Sequence, residues 1–198
     1  MSYMRYISFP KKLVATHKSN ALDEISETGL YQFPHHDRSI YTYCRPQDAC
    51  MDQNSHISFS EPFMGEVFKS TFDNPFIYDL FVGVLPDYLD QLHAIISSYP
   101  IDPIDEMSPA VKTMSPEAKA LNDKCGEWMQ QILHESLSYI LADGEYAEMY
   151  TAELDGSEFE HVFPSPESEE SITLRSLAHQ QDVLAFKKWH KITIHKTV

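Results

Sequence analysis

Apolar positions recur along this chain in two rhythms, and the longest run is helical. From Ala118, the residues Leu121, Cys125, Trp128, Ile132, Ser136 and Tyr139 follow at steps of three or four, an apolar stripe interrupted by one small polar side chain. Ser115-Pro116-Glu117 opens it with an N-cap hydroxyl, a proline in the first turn and an acid against the helix dipole. Asp143-Gly144 closes it, the glycine supplying a left-handed C-cap. The spacing predicts a helix over 115–142, the longest element and the spine on which a sheet packs. A second helix is predicted over 86–99, where Pro86 suits a first turn, Leu85, Leu89, Leu92 and Ile96 share one face, and Pro100 stops the run.

The second rhythm is that of strands. Tyr3–Phe9 is aromatic and β-branched and reads as an opening strand, with Tyr3, Arg5, Ile7 and Phe9 on one face and Met4, Tyr6 and Ser8 on the other. Each face mixes apolar and polar residues, so the pattern leaves the buried face open. Ile40–Cys44, Glu145–Leu154, Phe159–Phe163 and Lys191–Thr197 also have strand composition, and Asp155-Gly156 signals a hairpin between the second and third of these. Pro75–Leu85 is the most hydrophobic stretch and is assigned to the core. Asp23–Thr28 suits a turn or two of helix before Gly29; Ile172–Leu174 is short and extended; Leu177–Trp189 fits a helix of imperfect pattern. The rest of 30–66 mixes aromatics with turn formers and reads as irregular, 101–114 as a surface linker, and Pro164–Glu170 as a polar loop. Together these elements predict a single α+β domain over 1–198: a mostly antiparallel sheet, from the N-terminal strand and the C-terminal strands, packed on two main helices at about 86–99 and 115–142.

Composition fits that picture. A chain of 198 residues with 42% hydrophobic and 12% aromatic content can bury roughly 70% of its unfolded surface without disulfides or metal. Its three cysteines, Cys44, Cys50 and Cys125, are an odd number and do not suggest a disulfide framework. Met1–Pro10 lacks the apolar region of a signal peptide, and the longest apolar run, Leu80–Leu85, is too short to span a bilayer. The expected location is the reducing cytoplasm.

Charge changes the picture more. Formal net charge is −15, and the fifty residues Cys125–Leu174 hold twelve acids with no Lys or Arg. The last dozen residues then turn basic, with Lys187, Lys188, Lys191 and Lys196. Direct binding of nucleic acid or an anionic membrane, which requires basic patches, is disfavoured; a basic protein partner is permitted. The candidate partner surface is Glu145, Glu148, Glu153, Asp155, Glu158 and Glu160, on and beyond the strand that follows the long helix. The competing reading pairs these acids with the chain's own C-terminal lysines or leaves them as a solvated face.

Other chemistry is sparse. His35, His36, Asp37, Cys44, Cys50 and His56 are metal-capable types within 22 residues, but Cys-x5-Cys-x5-His is wider than structural zinc spacing, and neighbouring histidines on a strand point to opposite faces. His134-Glu135 lacks the second histidine of the zinc-protease helix, since position 138 is Ser. No phosphate-binding glycine loop, Gly-x-Ser-x-Gly elbow or Cys-x-x-Cys occurs, and no cofactor or metal is expected.

Glu145-Tyr146-Ala147-Glu148-Met149-Tyr150-Thr151 with the acids after it, then Ile172-Thr173-Leu174 and Lys191-Ile192-Thr193-Ile194, resembles the ending of small acidic cytoplasmic immunity proteins of bacterial toxin–immunity systems. That resemblance implies an α+β inhibitor that binds and occludes a cognate toxin or effector domain, and this is the expected function. Two alternatives stay open: an enzyme using the 35–56 loop, with or without zinc, and an acidic nucleic-acid mimic that blocks a DNA-binding protein.

Overall fold

The first strand of the chain lies in the middle of the sheet. β1 (Ser2–Phe9) is followed by β2 (His17–Lys18), β3 (Gly29–Phe33), β4 (Ile40–Cys44), β5 (Ile57–Ser60) and β6 (Phe76–Val82). Helices α1 (Tyr88–Ser97) and α2 (Pro116–Ile140) come next, then β7 (Tyr146–Leu154), β8 (Ser168–Thr173), α3 (Leu174–Leu177) and β9 (His190–His195). The computed structural model describes residues 2–21, 24–34, 38–46, 56–61, 70–97, 115–154, 165–179 and 189–197. Among them the strands form a nine-stranded sheet in the order β2-β3-β4-β5-β6-β1-β7-β9-β8. β2 on β3 and β8 on β9 are parallel; the other pairs are antiparallel. The fold is α+β with a mostly antiparallel sheet, two main helices and a short third.

The expected strand Ile40–Cys44 is β4, and the stretch around it, read as irregular, supplies two more strands: β3 and β5 flank β4 and join the hydrophobic β6 to build one half of the sheet. Their alternation is hard to see because both faces carry apolar groups. Leu30, Tyr41, Tyr43, Ile57 and Phe59 face the main core, while Tyr31 and Cys44 join Ile25 in a separate cluster on the opposite face. The polar stretch read as a loop before Ile172 is also partly strand, because β8 begins at Ser168. The expected return strand 159–163, the hairpin turn 155–156 and most of the helix expected over 177–189 lie outside the described residues.

α2 packs on the sheet face that carries Ile7, Phe9, Met149 and Ile192, through Ile132, Leu133, Leu137 and then Leu141. Its start is as the sequence predicts: Ser115 Oγ accepts from Ala118 N at 3.1 Å, with Pro116 in the first turn. Ser115→Ala should cost about 1 kcal/mol, read as a lower urea midpoint at unchanged m-value. Its end differs. Leu141, extended at φ −80° and ψ 137°, is the C-cap. Gly144, at φ 86°, serves instead the turn into β7. Lys196 Nζ donates to the Ser138 and Leu141 carbonyls at 2.9 and 2.8 Å, placing a cation on the negative end of the helix dipole. α1 falls inside the predicted 86–99 span but buries none of its residues.

Candidate functional site

β7 alternates between the two sheet faces. Ala147 and Met149 enter the main core, while Glu148, Tyr150 and Ala152 turn to the opposite face, where Tyr150 and Ala152 cluster with Tyr6, Phe72, Ile77 and Trp189. This alternation removes Glu148 from the candidate partner surface. The side chain is 1% exposed. One carboxylate oxygen meets Lys191 Nζ at 2.7 Å. The other accepts from Ser8 Oγ at 3.0 Å, Asp73 N at 2.9 Å and Asn74 N at 2.8 Å. Burial by itself would push this carboxyl up; the Lys191 contact and the two backbone N–H groups outweigh burial and hold it below its ordinary value. Asn74 also donates from Nδ2 to Tyr146 O at 3.1 Å, so the segment entering β6 is fastened to β7. Glu148 is an internal clamp.

The other predicted surface acids divide in two. Glu145 is half-buried, accepts from Ala142 N at 2.7 Å and pairs with Lys11 at 3.0 Å. The Ala142 N–H, followed by Lys11, holds its carboxyl below the usual range. Glu153 is opposite Tyr3 on β1 by register. Asp155, Glu158 and Glu160 lie outside the described residues, as do Lys187 and Lys188.

A feature the pattern reading missed is the outer strand. β8 ends the sheet order, so among the described residues nothing pairs with its far edge. Glu169, and Glu167 just before the strand, are exposed and form no ion pair among the described residues, whereas Glu170 lies 3.5 Å from His190 Nε2. The neighbouring β9 has no lysine to offer them, because Lys191 is held by Glu148 and Lys196 by the end of α2 and, at 3.8 Å, by Asp143. Exposed acids on an edge strand also oppose strand-to-strand aggregation.

Comparison with protein-family models, curated proteins and solved structures finds no match to this chain.

The His/Cys group is only partly described. Cys44 is fully buried beside Ile25 and Tyr31, with Sγ donating to Thr42 O at 3.7 Å, and His56 is 2% exposed. Among the described residues no group of three His, Cys, Asp or Glu side chains is placed to hold a metal ion; His35, His36, Asp37 and Cys50 lie outside them. Burial raises the pKa of the Cys125 thiol, which keeps it protonated and a poor nucleophile. His134 is half-buried on α2. Within the described residues, no helix is long and apolar enough to cross a membrane.

Proposed function

We propose that this protein is a stoichiometric inhibitor that binds a basic toxin or effector domain and occludes its active surface, as the resemblance of its C-terminal strands to immunity proteins suggests. The observation that supports this reading is the imbalance of charge at one edge of the sheet. Lys191 and Lys196 are engaged within the fold, while Glu167 and Glu169 stand exposed on and beside the outer strand. The contact surface would combine these two with Glu145, Glu153, Asp155, Glu158 and Glu160; Glu148 is left out because it is buried. Complementary charge of this kind acts chiefly on association rate and partner choice.

The test begins with affinity purification of the tagged chain from its host at low and high salt. One basic protein in near-equal amount, weakened by salt, is the expected result, and no partner at either salt would defeat the reading. With that partner in hand, reversing Glu153, Asp155 and Glu158 together to Lys should slow association by about ten-fold at low salt. An unchanged rate would show that this surface does not make the contact.

A further inference from the structure

Where β8 meets β9, a serine, a histidine and an acid converge. The parallel register sets Ser168 beside His190 and Glu170 beside Ile192, so Ser168, His190 and Glu170 project from one face of the sheet. Ser168 Oγ lies 2.7 Å from His190 Nδ1. Glu170 Oε2 lies 3.5 Å from the other ring nitrogen, Nε2. His190 is buried, with Thr151 of β7 beside it on the other side, whereas Ser168 is exposed.

The acid decides how the imidazole is protonated. A neutral ring carries its proton on one nitrogen and a lone pair on the other. A lone pair on Nε2 would face a carboxylate, so the proton belongs on Nε2, toward Glu170. Nδ1 is then the acceptor, and Ser168 Oγ the donor. A serine hydroxyl that donates to a histidine nitrogen, with an acid holding the ring in that tautomer, is the arrangement of an activated nucleophile. Here the two ring nitrogens are exchanged relative to the usual triad.

The backbone fixes the base. Trp189, immediately before His190, has a left-handed φ of 53°, which a bulky residue adopts only where its surroundings impose it, and such strain clusters at functional sites. The Trp189 carbonyl accepts from Glu167 N at 2.8 Å, and its ring lies beside Tyr150, with 6.4 Å between centroids. These contacts set the start of β9 and with it the position of His190. Because the Glu167 amide turns to β9, the next amide, that of Ser168, is directed to the outer side of β8. There it can donate to an oxygen that gains negative charge next to Ser168 Oγ.

We propose that Ser168 is a nucleophile toward small neutral or cationic carboxylic esters, with His190 as its general base and Glu170 as a positioning residue. Ser168 Oγ attacks the ester carbonyl carbon while its proton passes to His190 Nδ1. The bond to the alcohol breaks as that proton moves on to the alcohol oxygen. Water then loses a proton to the same nitrogen and attacks the acyl-serine, which releases the acid as the proton returns to Ser168 Oγ. The exposed carboxylates of Glu167 and Glu169 stand on either side of Ser168 in the chain and disfavour anionic esters. This activity is separate from inhibition of a toxin, since the contact surface proposed above uses neither Ser168 nor His190.

The test treats the full chain with phenylmethanesulfonyl fluoride and locates the label by peptide mass spectrometry. One sulfonyl group on Ser168 Oγ, with fluoride leaving, is the expected result. Hydrolysis of para-nitrophenyl acetate should fall at least about ten-fold in Ser168→Ala, an exposed change that leaves the melting temperature level. Glu170→Gln should lower kcat about ten-fold with KM little changed, as loss of an orienting charge predicts. At low salt, para-acetoxyphenyltrimethylammonium should be cleaved about ten-fold more efficiently than para-acetoxybenzenesulfonate, and salt should narrow the gap. Sulfonylation that misses Ser168, hydrolysis undiminished in Ser168→Ala, or kcat unchanged in Glu170→Gln would each overturn the proposal.

Discussion

Glu148→Gln is expected to destabilise the fold by about 3–5 kcal/mol, the usual cost of breaking a buried ion pair from one side. The substitution keeps the shape of the side chain but leaves Lys191, 9% exposed, without its counter-charge. It also turns an acceptor of three N–H and O–H donors into a group that is half donor. Replacing both partners, Glu148→Gln with Lys191→Met, should recover part of the loss, because no charge then remains buried alone. Denaturant melts of the three variants check this, and a double variant no better than Glu148→Gln would refute the pairing argument.

The same carboxyl predicts a pH dependence. Its folded pKa lies below the ordinary value of 4.5, so it stabilises the fold fully above that value, and the contribution is lost as pH falls through the lower folded value. Wild type should therefore lose stability more steeply in acid than Glu148→Gln, which has no such group. Parallel acid limbs would mean that Glu148 is not the titrating clamp.

Leu137→Ala should cost about 2–5 kcal/mol, whereas Leu89→Ala should change stability by less than about 0.5 kcal/mol. Both leucines sit on predicted helices, and only Leu89 belongs to an apolar stripe read from the sequence. Leu137 is fully buried between α2 and the sheet, so its truncation opens a cavity among Leu133, Leu141 and the strands. Leu89 is 53% exposed on α1, whose apolar side meets no core among the described residues. Urea titrations of the two variants in parallel measure the difference directly, and equal losses would show that α1 is packed as tightly as α2.

Part of the candidate surface was legible and part was not. Fifty residues with twelve acids and no lysine or arginine identify a region of negative charge, but a strand turns alternate residues to opposite faces. Glu148 shares a face with Tyr150 and Ala152, and that face is covered by Phe72 and Trp189. Nothing in the run Glu145–Leu154 marks it as covered, because the covering residues come from distant parts of the chain. Likewise, the edge position of Glu169 follows from β8 pairing parallel with β9, a choice that no local pattern encodes.

What local sequence determined here is what local forces govern: the cap and length of α2, the existence of β1, β4, β7 and β9, the α+β class and the acidic balance. These rest on hydrogen bonds and periodicities that close within a few residues. What tertiary structure decided is everything that depends on which surfaces meet. It placed β1 at the centre of the sheet and made strands of Gly29–Phe33 and Ile57–Ser60. It also buried Glu148 against Lys191 and left α1 with none of its residues buried among the described residues. Burial and strand pairing join residues as far apart as Ser8 and Glu148, and their free energy depends on the partner surface rather than on either segment alone.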